Sequence, residues 1–284
     1  VPAYALYGVA VQSDVALPLL PPAACPVDAR IELVVGGAAR ADHAQWLVLD
    51  AGGLAFSVSP DGMRIACAAP EGTSLEAVAM WLAEDVLPRV LELHGRPCLH
   101  ASAARVGGGA VAFMGPSGSG KSTACAALAA HGRAEVVCDD CLALDLAGDA
   151  VHVHAGCAAL RLLPETLAPA GLDGARLAPV FPGAGKVRWP CAGIRGPTRL
   201  DRIYALEPAP EDGGVAATRL TPAAALGALA HFLYRIDPGR RELLDREFEV
   251  LTAVAVRVPV LRLRVPRRFD ALAEVRALVA SQPS

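Results

Sequence analysis

Three groups of residues in this chain have types and spacings that could do chemistry. The first is GPSGSGKST, Gly115 to Thr123, which satisfies the full G-x-x-x-x-G-K-[ST] pattern, with an apolar run (AVAFM) before it and a helix-forming run after it. Gly115, Gly118 and Gly120, with Ser117 and Ser119 between them, let the backbone fold around a phosphate while amide N–H groups point inward. Lys121 can reach the β- and γ-phosphates, Ser122 can offer its hydroxyl to Mg²⁺, and Thr123 caps or supports. The second group is VVCDD, ending in Asp139 and Asp140. One carboxylate can orient Mg²⁺ and the other can take a proton from an attacking hydroxyl. The third is His100, which a simple nucleotide-hydrolysing loop does not need.

These groups must be held by strands and helices. From His100 onward the pattern reads strand (LHASAARV), turn (Gly107–Gly109), strand (GAVAFMG), loop, helix from Ser122 to Ala130, and a short strand from Glu135 to Cys138. That order puts the aspartates at a strand end beside the phosphate loop in a parallel sheet, where a turn of the backbone lets both face the site. Later strands are expected at 142–146, 150–154, 201–207 and 258–265, and helices at 222–235, 240–255 and 269–281. The Pro/Gly-rich stretch 164–197 reads as a long connection. Residues 1–70 are short apolar runs broken by Gly, Pro and Asp, with a hairpin at the SPDG turn, 59–62. A helix follows over TSLEAVAMWLAEDVLPRVLELHG, capped by Thr73 or Ser74, kinked at Pro88 and ended at Gly95. The expected organisation is a β-rich part with one helix over 1–95, then an α/β phosphate-loop domain over 96–284.

Composition bounds the function. A 54% hydrophobic, 19% charged chain can bury a large core. No stretch approaches the roughly 18 uninterrupted apolar residues of a membrane helix, so no membrane partner is expected. VPAYALYGVA has no basic region followed by an apolar run, which argues against a secretory signal. A net charge of −3 without a dense Lys/Arg cluster argues against nucleic acid. Eight cysteines in a chain this long read as reduced cytoplasmic thiols. Cys138-x-x-Cys141 lacks a second pair for zinc, and His152-x-His154 lacks a third ligand. The basic RLRVPRRFD, 262–270, is too short for nucleic acid and reads as a solvated turn with helix-start residues.

Taken together, CLHASAARVGGGAVAFMGPSGSGKST and VVCDDCLAL resemble the kinase domain of HPr kinase/phosphorylase, in which a strand-borne His precedes the loop and an Asp pair follows it. The 15 residues from His100 to Gly115 match that family's spacing, and "CDDC" stands where the family has "ADD". The resemblance covers about residues 96–207. It implies an HPr kinase-type phosphate-loop core using ATP or GTP with Mg²⁺. It also implies Asp140 as general base, Asp139 beside the metal, and His100 orienting the carboxylate and the phosphoryl group. Glu165 would be a Mg²⁺-associated glutamate. One of Lys186, Arg188 and Arg199 would approach the γ-phosphate, and spacing does not choose between them. The family's "EIRGLG" segment is absent, which puts its dephosphorylating activity in doubt for this chain. YGVAVQSDVALPLLP, Tyr7 to Pro21, with LHASA and LRLLPE, is similar to HPr kinase-like proteins of lasso-peptide gene clusters. That implies a precursor peptide as substrate, phosphorylated at a serine hydroxyl, typically the C-terminal one. HPr kinases form hexamers, which leaves a homo-oligomer open here.

Two other readings stay open. The loop could gate peptide binding without phosphotransfer, or the acceptor could be a small-molecule hydroxyl. The β-rich part could dock a peptide or simply pack on the core and cover a sheet edge.

Overall fold

The computed structural model describes residues 1–23, 30–36, 46–130, 132, 134–157, 159–174, 177–191, 194 and 196–282. Alternating burial along short strands builds a six-stranded sheet from β1 (Ala3–Leu6), β2 (Val9–Ser13), β3 (Arg30–Val35), β4 (Leu47–Ala51), β5 (Leu54–Val58) and β6 (Arg64–Ala68). Its order is β1-β2-β3-β6-β5-β4. The β5–β6 pairing is antiparallel, and Asp61 closes the turn by accepting from the Ser59 hydroxyl and the Met63 amide.

The following helix is capped by Ser74, whose side chain accepts from the Ala77 amide. It runs as α1 (Leu75–Trp81), a π-helical turn (Leu82–Val86) and α2 (Leu87–Leu93). Pro88 was expected to kink this helix. Instead, the π turn precedes it, and the Leu87 amide reaches back to the Leu82 carbonyl. A proline ring clashes with the carbonyl four residues earlier, and one surplus residue in the turn relieves that conflict. Gly95, at φ 72°, ends the helix as expected: its amide bonds Glu92 and that of Arg96 bonds Leu91.

The second sheet contains β7 (Cys98–Leu99), β8 (Ala101–Val106), β9 (Gly109–Met114), β10 (Ala134–Cys138), β11 (Leu142–Ala147), β12 (Ala150–His154), β15 (Thr198–Ala209), β16 (Ala216–Arg219) and β17 (Val260–Pro266). The path β10-β8-β9-β15 leads on one side to β17 and β16, and from the start of β15 to β12, β11 and β7. The expectation of a parallel sheet with the aspartates next to the phosphate loop needs correction. β8 lies between β10 and β9 and is antiparallel to both, while β9, β15 and β17 run parallel. The helices are α3 (Lys121–Ala129), α4 (Pro164–Leu167), α5 (Pro222–His231), α6 (Arg241–Arg257) and α7 (Ala271–Ser281). The stretch 164–197 is not all irregular, since β14 (Val187–Pro190) pairs with β13 (Ala159–Leu162).

Seven cysteines are described, all as free thiols, and five of them are buried; Cys25 lies outside the described residues. No helix among the described residues is long and apolar enough to cross a membrane.

Candidate active site

The phosphate loop follows β9 and opens α3, at the carboxyl ends of three parallel strands, where open α/β sheets bind ligands. Gly118 (φ 77°) and Gly120 (φ 94°) are left-handed. A Cβ on Gly115 would come within 2.7 Å of the Ser119 hydroxyl, so a side chain there would displace that hydroxyl. No side chain caps α3, which leaves its first amides free for an anion. The Ser119 hydroxyl is buried without a partner among the described residues. A buried unsatisfied hydroxyl and uncapped amides in one cradle fit a phosphate group. Ser117 and Thr123 line the same cavity, whose volume is about 850 Å³.

Lys121 is buried, and its Nζ lies 3.0 Å from the Gly115 carbonyl, 3.1 Å from that of Pro116 and 3.0 Å from His100 Nε2. Burial lowers the Lys121 pKa against the opposing pull of Asp140 and Asp139. Burial also lowers that of His100, with Lys121 adding to the effect and Asp140 opposing it. The neutral ring that follows accepts from Lys121 at Nε2. Its proton is thereby assigned to Nδ1, which donates to Tyr234 Oη at 2.9 Å. Tyr234 Oη lies 3.2 Å from the Asp140 carbonyl and donates to it. His100 therefore holds Lys121 and the backbone of Asp140. Its Nε2 is 4.0 Å from Asp140 Oδ1, beyond hydrogen-bond reach of the carboxylate.

The two aspartates are sorted by backbone geometry. Asp139 is buried; its Oδ1 accepts from the hydroxyls of Ser102 (2.6 Å) and Ser122 (2.8 Å), and its Oδ2 from the Arg161 amide (2.8 Å). Burial and the charge of Asp140 raise its pKa. Asp140 takes a left-handed φ of 58°, uncommon for any residue except Gly and Asn/Asp. That turn brings the second carboxylate to the same cavity despite the alternation of strand side chains. Burial alone would raise the Asp140 pKa, but the charges of Arg161 and Lys121 bring it below its ordinary value.

Arg161, on β13, and Glu84, in the π turn, were not foreseen. The Arg161 guanidinium bonds Asp140 Oδ2 through Nη2 and Glu84 through Nη1, while its buried Nε has no partner among the described residues. Burial raises Glu84 to about 8, with Asp140 and Asp139 contributing and Arg161 opposing. Arg161 itself is pushed up, because its carboxylate neighbours outweigh the effect of burial. The position of Glu84 between a permanent cation and a low-dielectric wall makes both forms accessible near neutral pH. The second helical segment also reaches the site. Arg89 sits 5.7 Å over the Tyr234 ring and donates to the Arg235 carbonyl, and Glu92 accepts from the Ile236 amide at 2.6 Å.

The basic candidates separate. Lys186 lines the phosphate-loop cavity. Arg188 lines a small slot on the other side of Arg161. Arg199 is exposed and pairs with Asp201 at 2.7 Å, at the start of β15. Glu165 is exposed on α4, where its neighbours Leu163 and Thr166 line the cavity instead. No group of three His, Cys, Asp or Glu side chains suited to a metal occurs among the described residues. The oxygen pair of Ser122 and Asp139 suits Mg²⁺, a hard cation that keeps phosphate and water oxygens in most of its positions. Cys138 and Cys141 are buried in the core, and His154 bonds Asp145 at 2.9 Å.

No family model matches the sequence, and no curated protein matches it. Among solved structures, the Hpr(Ser) kinase/phosphatase from Coxiella burnetii is similar over 64% of this chain and 93% of that one. The identity is 12% and the TM-score 0.35.

Proposed function

We propose that this chain is an ATP-dependent phosphotransferase that moves the γ-phosphoryl group onto a hydroxyl. The observation that carries this reading is the convergence on one cavity of Lys121, Ser122 bonded to Asp139, and an Asp140 with one oxygen committed to Arg161. Gating needs the loop but no base, so it leaves the second, separately oriented carboxylate without a use.

The residues divide the work. Uncapped amides of the loop and the Ser119 hydroxyl bind phosphate oxygens, and Lys121 exchanges its carbonyl contacts for them. Ser122 and Asp139 would hold Mg²⁺, which neutralises charge on the phosphates when bound. Arg161 fixes Asp140 Oδ2, which leaves Oδ1 to accept the proton of the incoming hydroxyl. Lys186 adds positive charge at the same cavity wall. Transfer is then mainly positioning and charge stabilisation.

For the acceptor, the resemblance of Tyr7–Pro21, LHASA and LRLLPE supports a peptide, with the C-terminal serine of a lasso-peptide precursor as the specific substrate. Tyr7 of that opening is buried, its amide bonds the Ala155 carbonyl, and its ring fills the space beside Gly156. The opening is thus packed behind the aspartate turn.

Intact-mass measurement of candidate precursor peptides incubated with the protein and Mg·ATP tests the reading. A gain of one phosphoryl group is expected, lost in Asp140→Asn with nucleotide binding kept. Undiminished transfer by Asp140→Asn would remove Asp140 as the base. Nucleotide-dependent peptide binding without modification would favour the gated module, and phosphorylation of a small hydroxyl compound alone would favour the third reading.

A further inference from the structure

The sheet order separates the two flanks of the phosphate loop. β10, which carries the aspartates at its end, lies on one side of β9, and β15 followed by β17 lies on the other. Strands are about 4.8 Å apart, so the end of β17 stands roughly 10 Å from the strand that feeds the loop. The cavity runs on in that direction, past Pro208 to Val265, Phe269 and Leu272. The register aligns Pro208 with Val265, so the carboxyl ends of β15 and β17 form one apolar rim.

This end of the cavity differs chemically from the other. The reacting flank holds Asp140, Arg161 and Lys186. On the β17 flank two of the charged side chains are neutralised within the fold, while the exposed Arg267 also lines the cavity. Glu207 pairs with Arg262 at 2.8 Å, and Arg268 is held by Asp270 (2.8 Å) and Glu274 (2.5 Å). Phe269, in contrast, is 51% exposed at the cavity wall on this flank. Large apolar side chains left in solvent at the wall of a pocket call for a covering group. A volume of about 850 Å³ lies within the ~300–1,000 Å³ typical of small-molecule sites and exceeds what a triphosphate alone would fill.

The geometry points to a nucleoside pocket at the end of β17, in which Phe269 stacks against the base of the triphosphate held by the loop. This deepens the phosphotransferase reading and rests on it. The flank opposite the aspartates is where a nucleoside must lie if the γ-phosphoryl group is to face Asp140. The RLRVPRRFD stretch then has a use unrelated to nucleic acid: its strand half supplies the rim and its turn presents the ring. Stacking on one aromatic face is tolerant of base identity, so ATP and GTP should bind within a few-fold of each other.

Calorimetric titration of the full chain with Mg·ATP, and with inorganic tripolyphosphate plus Mg²⁺, tests this. Wild type should bind ATP about ten- to a hundred-fold tighter than tripolyphosphate, the range that one stacked base supplies. Phe269→Ala should remove most of that advantage while leaving tripolyphosphate affinity unchanged, and Phe269→Tyr should restore it. Because the ring is exposed, its truncation leaves the core intact. Equal affinities for ATP and tripolyphosphate in wild type, or an ATP advantage that survives Phe269→Ala, would overturn the pocket while the phosphate-loop reading stands. If neither ligand binds wild type, the phosphate-loop reading falls and takes the pocket with it.

Discussion

At the scale of single residues, Arg161 carries the most consequence. It is a buried cation between two carboxylates, and it bonds a third through its backbone amide. Removing one member of such a group leaves the others buried and uncompensated, at a cost of about 3–5 kcal/mol. Arg161→Met should therefore lower stability by about that much in urea denaturation. Adding Glu84→Gln should recover part of the loss, because the second change removes one of the stranded charges. Strictly additive losses would mean that Glu84 and Arg161 do not act as a pair. The left-handed backbone at Asp140 leads to a second expectation. Asn tolerates that conformation better than Ala does, so Asp140→Asn should keep the native melting temperature more closely than Asp140→Ala, while both abolish transfer.

At the scale of elements, the helix from Leu75 to Leu93 is a wall of the site as well as a connector. Its π turn presents Glu84, and the turns after it present Arg89 to Tyr234 and Glu92 to the Ile236 amide. Glu84 gives this element a pH dependence. Its pKa in the folded chain is about 8, against an ordinary value of 4.5. Between those limits the folded state binds the extra proton, so the contribution to stability is full below about pH 4.5 and is lost as pH rises through 8. The slope for one such group is up to ~1.4 kcal/mol per pH unit. The groups facing it are Arg161, Asp140, Asp139 and Lys186. Thermal melts of wild type and Glu84→Gln should diverge as pH rises from 5 to 8, with the variant gaining relative to wild type. Parallel curves would show that Glu84 stays ionised throughout. None of this was legible in the sequence, where Glu84 is one acidic residue on a helix and Arg161 one basic residue in "ALRLL". The phosphate loop, the Asp pair and most strands were readable because their signals are local. Glu84, Arg161 and Tyr234 come together over sequence separations that no local pattern encodes. Phe269 was readable only as a helix-start residue, since a turn does not reveal what lies across from it.

At the scale of the whole chain, the expected boundary near residue 95 falls between two sheets, but not between two cores. One buried cluster runs from Tyr4 through Leu91 and takes in Cys98, Cys141, Ala143, Ile236 and Leu243. A fragment of residues 96–284 would expose that face and lose Glu84, Arg89 and Glu92 together. It should express poorly, give broadened amide spectra and fail to bind Mg·ATP; a soluble, nucleotide-binding fragment would show that the second sheet stands alone. The π turn has one more consequence at this scale. Its five residues, Leu82–Val86, hold one more than an α-helix would use over the same rise. Deleting Ala83 would restore regular winding, leave the flanking turns close to their present phase because the π turn absorbs its extra residue locally, and drive the Pro88 ring back onto a carbonyl. A single surplus residue thus lets a proline sit inside a continuous helix that joins the two halves of the molecule.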